Sequence, residues 1–234
     1  MVGTTRALVV DDEEPLARIV ASYLERDGFT VTTAGDGETA LTAARAEPPD
    51  LVVLDLGLPG LDGIEVCRQL RTFSDAYVIM LTARAEEVDK LIGLSVGADD
   101  YVTKPFSPRE IVARAKAMMR RPRTAAAHAP EQPVRRFGDL TVDVEGREVH
   151  VDGKPVELTP TEFDVLAALS ARPRTAFSRR QLIEEVWGTT HIGDEHLVDV
   201  HVAHLRRKLG DDPAAPRYVR TVRGVGYRMG TGQP

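Results

Sequence analysis

Cysteine is almost absent from the 234-residue chain; Cys67 stands alone. One thiol excludes an internal disulfide framework and any cysteine-based zinc cluster. Cys67 reads as a small apolar residue on a helix. There is no apolar run of the ~18 residues that a membrane-spanning helix needs. The opening MVGTTRALVVDDEE turns acidic after one short apolar run, unlike a secretory signal peptide. The expected compartment is therefore the cytoplasm, with no membrane partner. No internal repeat is visible. What the chain does have is 42% hydrophobic residues, enough to build cores. Its length suits one large or two ordinary domains.

The net charge of −6 is unevenly spread. Residues 1–122 carry 14 Lys and Arg against 20 Asp and Glu, whereas residues 123–234 carry 16 of each sign. Within the second part, 201–228 holds seven Lys and Arg against two Asp. A local basic cluster of this kind is the usual footprint of nucleic-acid binding.

The segment RRPRTAAAHAPEQPV, 120–134, has three prolines, four alanines and no apolar periodicity, and reads as a linker. Before it, short apolar runs at Ala7–Val10, Thr30–Thr33, Leu51–Leu54, Tyr77–Leu81 and Asp100–Val102 alternate with helical patterns at 14–26, 38–46, 63–72, 86–96 and 108–120. Five β-α repeats predict a parallel sheet covered by helices on both faces. After the linker, Phe137–Val144 alternates as a strand does. Glu145-Gly146 and Asp152-Gly153 give hairpin signals. Thr159-Pro160-Thr161-Glu162 and Ser178-Arg179-Arg180-Gln181 are capping boxes that open two helices. A third helix covers 195–209, and Arg217–Met229 reads as a last hairpin around Gly224 and Gly226. Sheet, three helices, hairpin is the order of a winged helix.

Ligands of open α/β sheets collect outside the carboxyl ends of the strands. Asp11, Asp12, Glu13 and Glu14 follow the first predicted strand, Asp55 ends the third, Thr82 follows the fourth and Lys104 the fifth. Crowded carboxylates repel and call for a cation. Oxygen-only donors favour a hard ion, so Mg²⁺ is expected. An Asp beside Mg²⁺ and facing a Lys suits nucleophilic attack on phosphorus, with the Thr82 hydroxyl placed to donate to the new phosphate.

The motifs VVDDEE (9–14), LDLGLPGLDG (54–63), LTAR (81–84) and GADDYVTKPFSPRE (97–110) resemble the receiver domain of two-component response regulators. The resemblance implies Asp55 as phosphoacceptor and Asp11, Asp12, Asp55 and the backbone carbonyl of Gly57 as Mg²⁺ ligands. It also implies Thr82 as the switch hydroxyl, Lys104 as the phosphate partner and Tyr101 as the switch aromatic. Such receivers dimerise through one face. By analogy Lys90 pairs with Glu110, and Asp100 with Arg114, across two subunits.

In the helix at 195–209, Val198, Val202, Leu205 and Leu209 fall within an arc of roughly 60° at 100° per residue. His196, Val200, Ala203, His204, Arg207 and Lys208 lie opposite. Apolar groups there can touch thymine methyls and Arg can read guanine. Arg220, Thr221, Arg223, Gly224 and Gly226 form a basic hairpin beside it, and Arg179 and Arg180 could hold phosphates. The segments LTPTEFDVL (158–166), RRQLIEEVWG (179–188), LVDVHVAHLRRKLG (197–210) and YVRTVRGVGYR (218–228) resemble the effector domain of OmpR/PhoB-type regulators. By that resemblance His201, Arg206, Thr221 and Arg223 match positions that commonly touch DNA. Ala203 and His204 depart from the polar or basic residues usual there. With no cysteine beside them, His191, His196, His201 and His204 read as DNA-facing or surface histidines, not as a metal site.

The expected fold class is α/β followed by α+β in two domains. A doubly wound five-stranded parallel (βα)5 receiver (1–122) is followed by a linker (123–134) and a winged helix-turn-helix domain (135–232). The resemblance implies a cognate sensor histidine kinase, double-stranded promoter DNA and a homodimer on phosphorylation, with RNA polymerase a further partner. It implies a regulator that accepts phosphate and loses it slowly, not a turnover enzyme. Two rival readings are a phosphohydrolase built on the same acidic site and a DNA-binding protein whose receiver serves only to dimerise.

Overall fold

The computed structural model describes residues 5–82, 96–119, 134–188 and 195–233. The chain divides into two compact units, Met1–Lys116 and Ala117–Pro234. The predicted helix at 86–96, with Lys90, lies outside the described residues except for Val96, as do nearly all of the expected linker and His191.

The first unit is built on five parallel strands: β1 (Arg6–Val10), β2 (Thr30–Ala34), β3 (Leu51–Asp55), β4 (Tyr77–Thr82) and β5 (Asp100–Thr103), in the order β2-β1-β3-β4-β5. Position in the sheet explains composition. Every residue of LVVLD in β3 and YVIMLT in β4 is buried, whereas the edge strand β2, TVTTA, leaves its threonines outside the core. Each Leu, Ile or Val buried in the centre contributes about 1.5–3 kcal/mol. Helix α1 (Glu14–Arg26) carries Pro15 in its first turn and buries Ala17, Val20, Ala21 and Leu24, one stripe at helical spacing. Asp36 and Asp62 cap α2 (Gly37–Ala46) and α3 (Gly63–Leu70), each accepting an N–H at 2.8 Å from the residue three places on. Helix α3 stops before the predicted residue 72 because Arg71 turns inward. Its Nε donates to Gly97 O at 2.8 Å and its Nη2 lies 2.6 Å from buried Asp99. Helix α4 (Pro108–Met119) follows β5.

The second unit opens with an antiparallel sheet of β6 (Arg135–Phe137), β7 (Leu140–Asp143), β8 (Glu148–Val151) and β9 (Lys154–Pro155), in chain order. The stretch Phe137–Val144 is not one strand. A turn at Gly138-Asp139 folds it back so that Phe137 pairs with Leu140. Gly138 has φ 62°, and a Cβ there would meet Gly232 O at 2.7 Å, so the site requires glycine. Asp152 and Gly153 both have positive φ, 52° and 73°, as the predicted two-residue hairpin demands. At the other loop the left-handed residue is Arg147 (φ 54°), not Gly146.

Both capping boxes form. Thr159 and Glu162 open α5 (Pro160–Ala171), and Ser178 and Gln181 open α6 (Arg179–Val186). A third helix, α7 (His196–Leu209), ends on Gly210 at φ 65°. Strands β11 (Val219–Val222) and β12 (Gly226–Met229) make the last hairpin, and the two-residue β10 (Phe177–Ser178) adds to β12. Gly226 is needed there, because a Cβ would fall 2.2 Å from Phe177 O. This is the winged-helix order, with α5 packed against α6 and α7.

Candidate functional site

Parallel register brings the strand ends of the first unit to one edge. Val10 lies beside Leu54, Asp55 beside Leu81 and Thr82 beside Thr103. The residues that follow or end these strands therefore converge. Lys104 Nζ lies 2.9 Å from both Asp11 Oδ2 and Asp55 Oδ1, and 3.7 Å from Glu13 Oε1. Backbone donors fix the remaining oxygens: Glu13 N–H donates to Asp11 Oδ1 and Gly57 N–H to Asp55 Oδ2, each at 2.9 Å. Asp11 and Asp55 are buried and Asp12 is exposed. Burial pushes the Asp55 carboxyl above its ordinary range, and nearby Asp11 adds to this, while Lys104 opposes it. Burial disfavours the Lys104 ammonium, but Asp55 and Asp11 outweigh it and hold its pKa up.

Asp11, Asp12 and Asp55 each offer an oxygen, and the three lie within 4.8 Å of one another. Three carboxylates against one ammonium leave a negative excess. Oxygen-only donors suit a hard divalent ion such as Mg²⁺. Gly57 leaves room at Asp55, since a Cβ there would sit 3.1 Å from Asp55 Oδ2. Thr82 is buried at the end of β4, and Lys104 N–H donates to its carbonyl at 2.7 Å. Tyr101 is half-buried two residues before Thr103, the β5 neighbour of Thr82.

On the face expected to pair between subunits, the charges close within one chain. Arg114 is buried, with Nη1 2.7 Å from Asp100 Oδ2 and Nη2 2.7 Å from Glu110 Oε1. Asp100 and Arg114, expected to pair across two subunits, meet within this chain: both are buried, and one turn of α4 joins Arg114 to Glu110.

In the second unit the predicted stripe holds, with Val198, Val202, Leu205 and Leu209 all buried. The buried arc is much wider than that stripe. His201, His204 and Arg206 are also buried, which corrects the expectation that their side chains face DNA. His201 packs against Trp187 in a tilted arrangement, with ring centroids 5.4 Å apart and the ring planes at 46°. His204 Nδ1 lies 4.0 Å from Glu162, and burial lowers its pKa to about 4 although Glu162 works the other way. Arg206 donates to Val219 O through Nε (2.9 Å) and Nη2 (2.6 Å), and to Thr221 Oγ1 at 2.8 Å. The helix is clasped on more than one side. Lys208 reaches Glu162 Oε2 on α5 at 2.6 Å, while Arg206 holds strand β11. What remains outside is His196, Ala203 and Arg207, with Val200 partly covered, and on the hairpin Thr221 and Arg223.

Similarity to known proteins matches this geometry. A model of the response regulator receiver domain matches residues 7–116, and one of the C-terminal domain of transcriptional regulatory proteins matches 153–229. The DNA-binding response regulator MtrA of Mycolicibacterium smegmatis is 48% identical over 225 residues, covering 96% of each chain. The chain belongs to the OmpR/PhoB-type response regulators. The alkaline phosphatase synthesis transcriptional regulatory protein PhoP of Bacillus subtilis is 45% identical, with 96% of each chain covered. Among solved structures, response regulator DrrB of Thermotoga maritima, an OmpR/PhoB homologue, aligns at 33% identity with TM-score 0.53, covering 97% of this chain and all of that one. A RitR mutant aligns at 27% identity with TM-score 0.74 over the same shares.

Three residues of this response regulator organise the helix and hairpin: Asp199 and Tyr227, which the sequence reading passed over, and Glu162, which it placed only in a capping box. Glu162 both closes a capping box and receives Lys208. Asp199 Oδ1 accepts from Tyr227 Oη at 2.7 Å and from Arg179 Nε at 2.8 Å. The signal was present, because Asp199 is the only acid within α7.

Proposed function

We propose that the chain is a DNA-binding response regulator switched by phosphorylation of Asp55. The observation that carries this is the grouping of Asp55, Lys104 and Asp11 at 2.9 Å, with Asp12 beside them, on one edge of the sheet. Lys104 and backbone N–H groups orient the carboxylates of Asp55 and Asp11. Asp11, Asp12, Asp55 and the Gly57 carbonyl would hold Mg²⁺, which supplies charge neutralisation at the phosphoryl oxygens. An Asp55 oxygen forms the P–O bond as the P–N bond of a phosphohistidine donor breaks, and the departing imidazole takes up a proton. Lys104 then faces the new phosphate and the Thr82 hydroxyl donates to it, with Tyr101 following Thr82. The product is an acyl phosphate that is lost slowly, so the chain acts as a switch and not as a turnover enzyme.

The new group adds about −1.5 to −2 charge. It shifts a two-state equilibrium only through its different interaction with the two states. The state it favours is a receiver homodimer, with the Arg114–Asp100–Glu110 cluster as part of the face and Lys90 as a pairing partner for Glu110. Residues 1–122 form the receiver, 123–134 the linker and 135–232 the effector. His196, Val200, Ala203, Arg207, Thr221 and Arg223 contact promoter DNA, while His201, His204 and Arg206 position the helix that carries them. A sensor histidine kinase supplies the phosphoryl group, and RNA polymerase is the downstream partner in the cytoplasm.

The test is intact-mass analysis after incubation with Mg²⁺ and acetyl phosphate. One phosphoryl adduct is expected in the wild type and none in Asp55→Asn or without Mg²⁺. An adduct that survives Asp55→Asn overturns the assignment.

A further inference from the structure

The exposed face of α7 carries one acid, Asp199, where a DNA-reading surface would be expected to carry cations. Its carboxylate is engaged on several sides. Arg179 Nε, from the first turn of α6, donates to Oδ1 at 2.8 Å, and Tyr227 Oη, from β12, donates to the same oxygen at 2.7 Å. His196 Nδ1 lies 3.5 Å from Oδ2. The Arg179 guanidinium also lies over the Tyr227 ring, 5.4 Å from its centroid. Asp199 thus ties together the third helix, the start of the second and the hairpin. Arg179 stands at a helix N-terminus, where an unpaired guanidinium would be well placed to grip a DNA phosphate.

We propose that Asp199 sets the affinity and salt dependence of DNA binding: by pairing with Arg179 and Tyr227 it withholds Arg179 from the DNA backbone and fixes the hairpin against α7. The inference rests on the DNA-binding reading above. Each phosphate contact adds affinity to every sequence equally and contributes about 0.9 to the slope of log affinity against log salt. Masking one cation therefore lowers the affinity for every duplex alike and leaves the base contacts, and with them the ratio between sequences, intact.

The probes are two duplexes: one selected by the full-length wild-type chain from a random pool, and one of unselected random sequence. In Asp199→Asn the released Arg179 reaches a phosphate. The salt slope on the random duplex steepens by about 0.9, which widens the change in affinity between 50 and 200 mM salt by roughly three- to fourfold. The selected duplex gains in the same way, so the ratio of selected to random affinity stays at its wild-type value. In Asp199→Asn combined with Arg179→Gln the slope returns to the wild-type value, although the acid is still missing. That return separates a released Arg179 from simple loss of a negative charge or a loosened fold, neither of which depends on Arg179. Equal slopes in wild type and Asp199→Asn overturn the masking, as does a steep slope that persists in the double variant. A folded wild type that binds neither duplex overturns the DNA reading itself, and the masking with it.

Discussion

The acidic pocket and the helix–hairpin surface treat charge in opposite ways. In the pocket, Asp11 and Asp55 share one ammonium, that of Lys104, and Asp12 stays exposed without neutralisation among the described groups. On the second unit most cations are answered from within. Arg206 is held by Val219 O and Thr221, Arg179 by Asp199, and Lys208 by Glu162. An imbalance kept in place by folding is a binding site for the missing charge; a balanced network is scaffold. The same residue type therefore does different work a few positions apart. Arg206 and Arg207 are neighbours in sequence, yet one is buried and the other exposed.

The largest expected effect comes from breaking the balanced side. Arg206→Ala strips two donors from a buried carbonyl and one from Thr221, and removes a cation 5.6 Å from the Tyr227 ring. Leaving buried polar groups unsatisfied costs ~1–3 kcal/mol each, so the second unit should lose about 3 kcal/mol. Trp187, the chain's one tryptophan, is buried in this unit and reports on it by fluorescence. Its urea midpoint should fall sharply. A midpoint within experimental error of the wild type would mean that Arg206 is not part of the scaffold.

A smaller effect of opposite sign is expected on the unbalanced side. Asp12→Asn removes one of three mutually repelling carboxylates. Without Mg²⁺ the first unit should gain about 0.5–1 kcal/mol, a magnitude set by the high effective dielectric at an exposed acid. With Mg²⁺ the order reverses, because a saturating ion stabilises the wild type by roughly 2.7 kcal/mol at a hundred times its dissociation constant and the variant by less. Hydrogen exchange of the β1 and β3 amides, with and without Mg²⁺, reads both arms. No crossover would indicate that Asp12 stands outside the metal site.

The pocket was legible in the sequence because a parallel sheet leaves little choice. Once five strands are placed, Asp11, Asp55, Thr82 and Lys104 must share an edge, and small errors in strand length do not move them off it. The helix was only half legible. Apolar periodicity located Val198, Val202, Leu205 and Leu209, but it treats a helix as buried along one stripe. Helix α7 is held by α5 on one flank and by β11 on another, so its buried arc runs from His204 to Arg206, about 200° at 100° per residue. Long polar side chains at the margins of a stripe turn inward when a partner acceptor waits there, as Val219 O and Glu162 do here. No periodicity within α7 encodes those acceptors. Likewise Arg71 ends α3 early because of Gly97 and Asp99, which are distant in sequence.

The smallest expected effect tests whether the exposed remainder is what meets DNA. Arg207 sits on the outer face of α7, one turn beyond Ala203 and on the same face as His196. Arg207→Ala removes no buried hydrogen bond, so the Trp187 fluorescence midpoint should stay within about 0.5 kcal/mol of the wild type. If Arg207 meets a phosphate, the salt slope should become shallower by about 0.9 on every duplex, with the selected-to-random ratio unchanged. If it meets a guanine edge, the selected duplex should lose about 1–3 kcal/mol and the random one much less. The small apolar neighbours Val200 and Ala203 let the helix approach a groove closely, which favours the base contact. Loss of affinity on the selected duplex alone would therefore place Arg207 at a base. A stable Arg207→Ala variant that binds both duplexes as tightly as the wild type would move the DNA surface off this face of α7, toward the hairpin at Thr221 and Arg223.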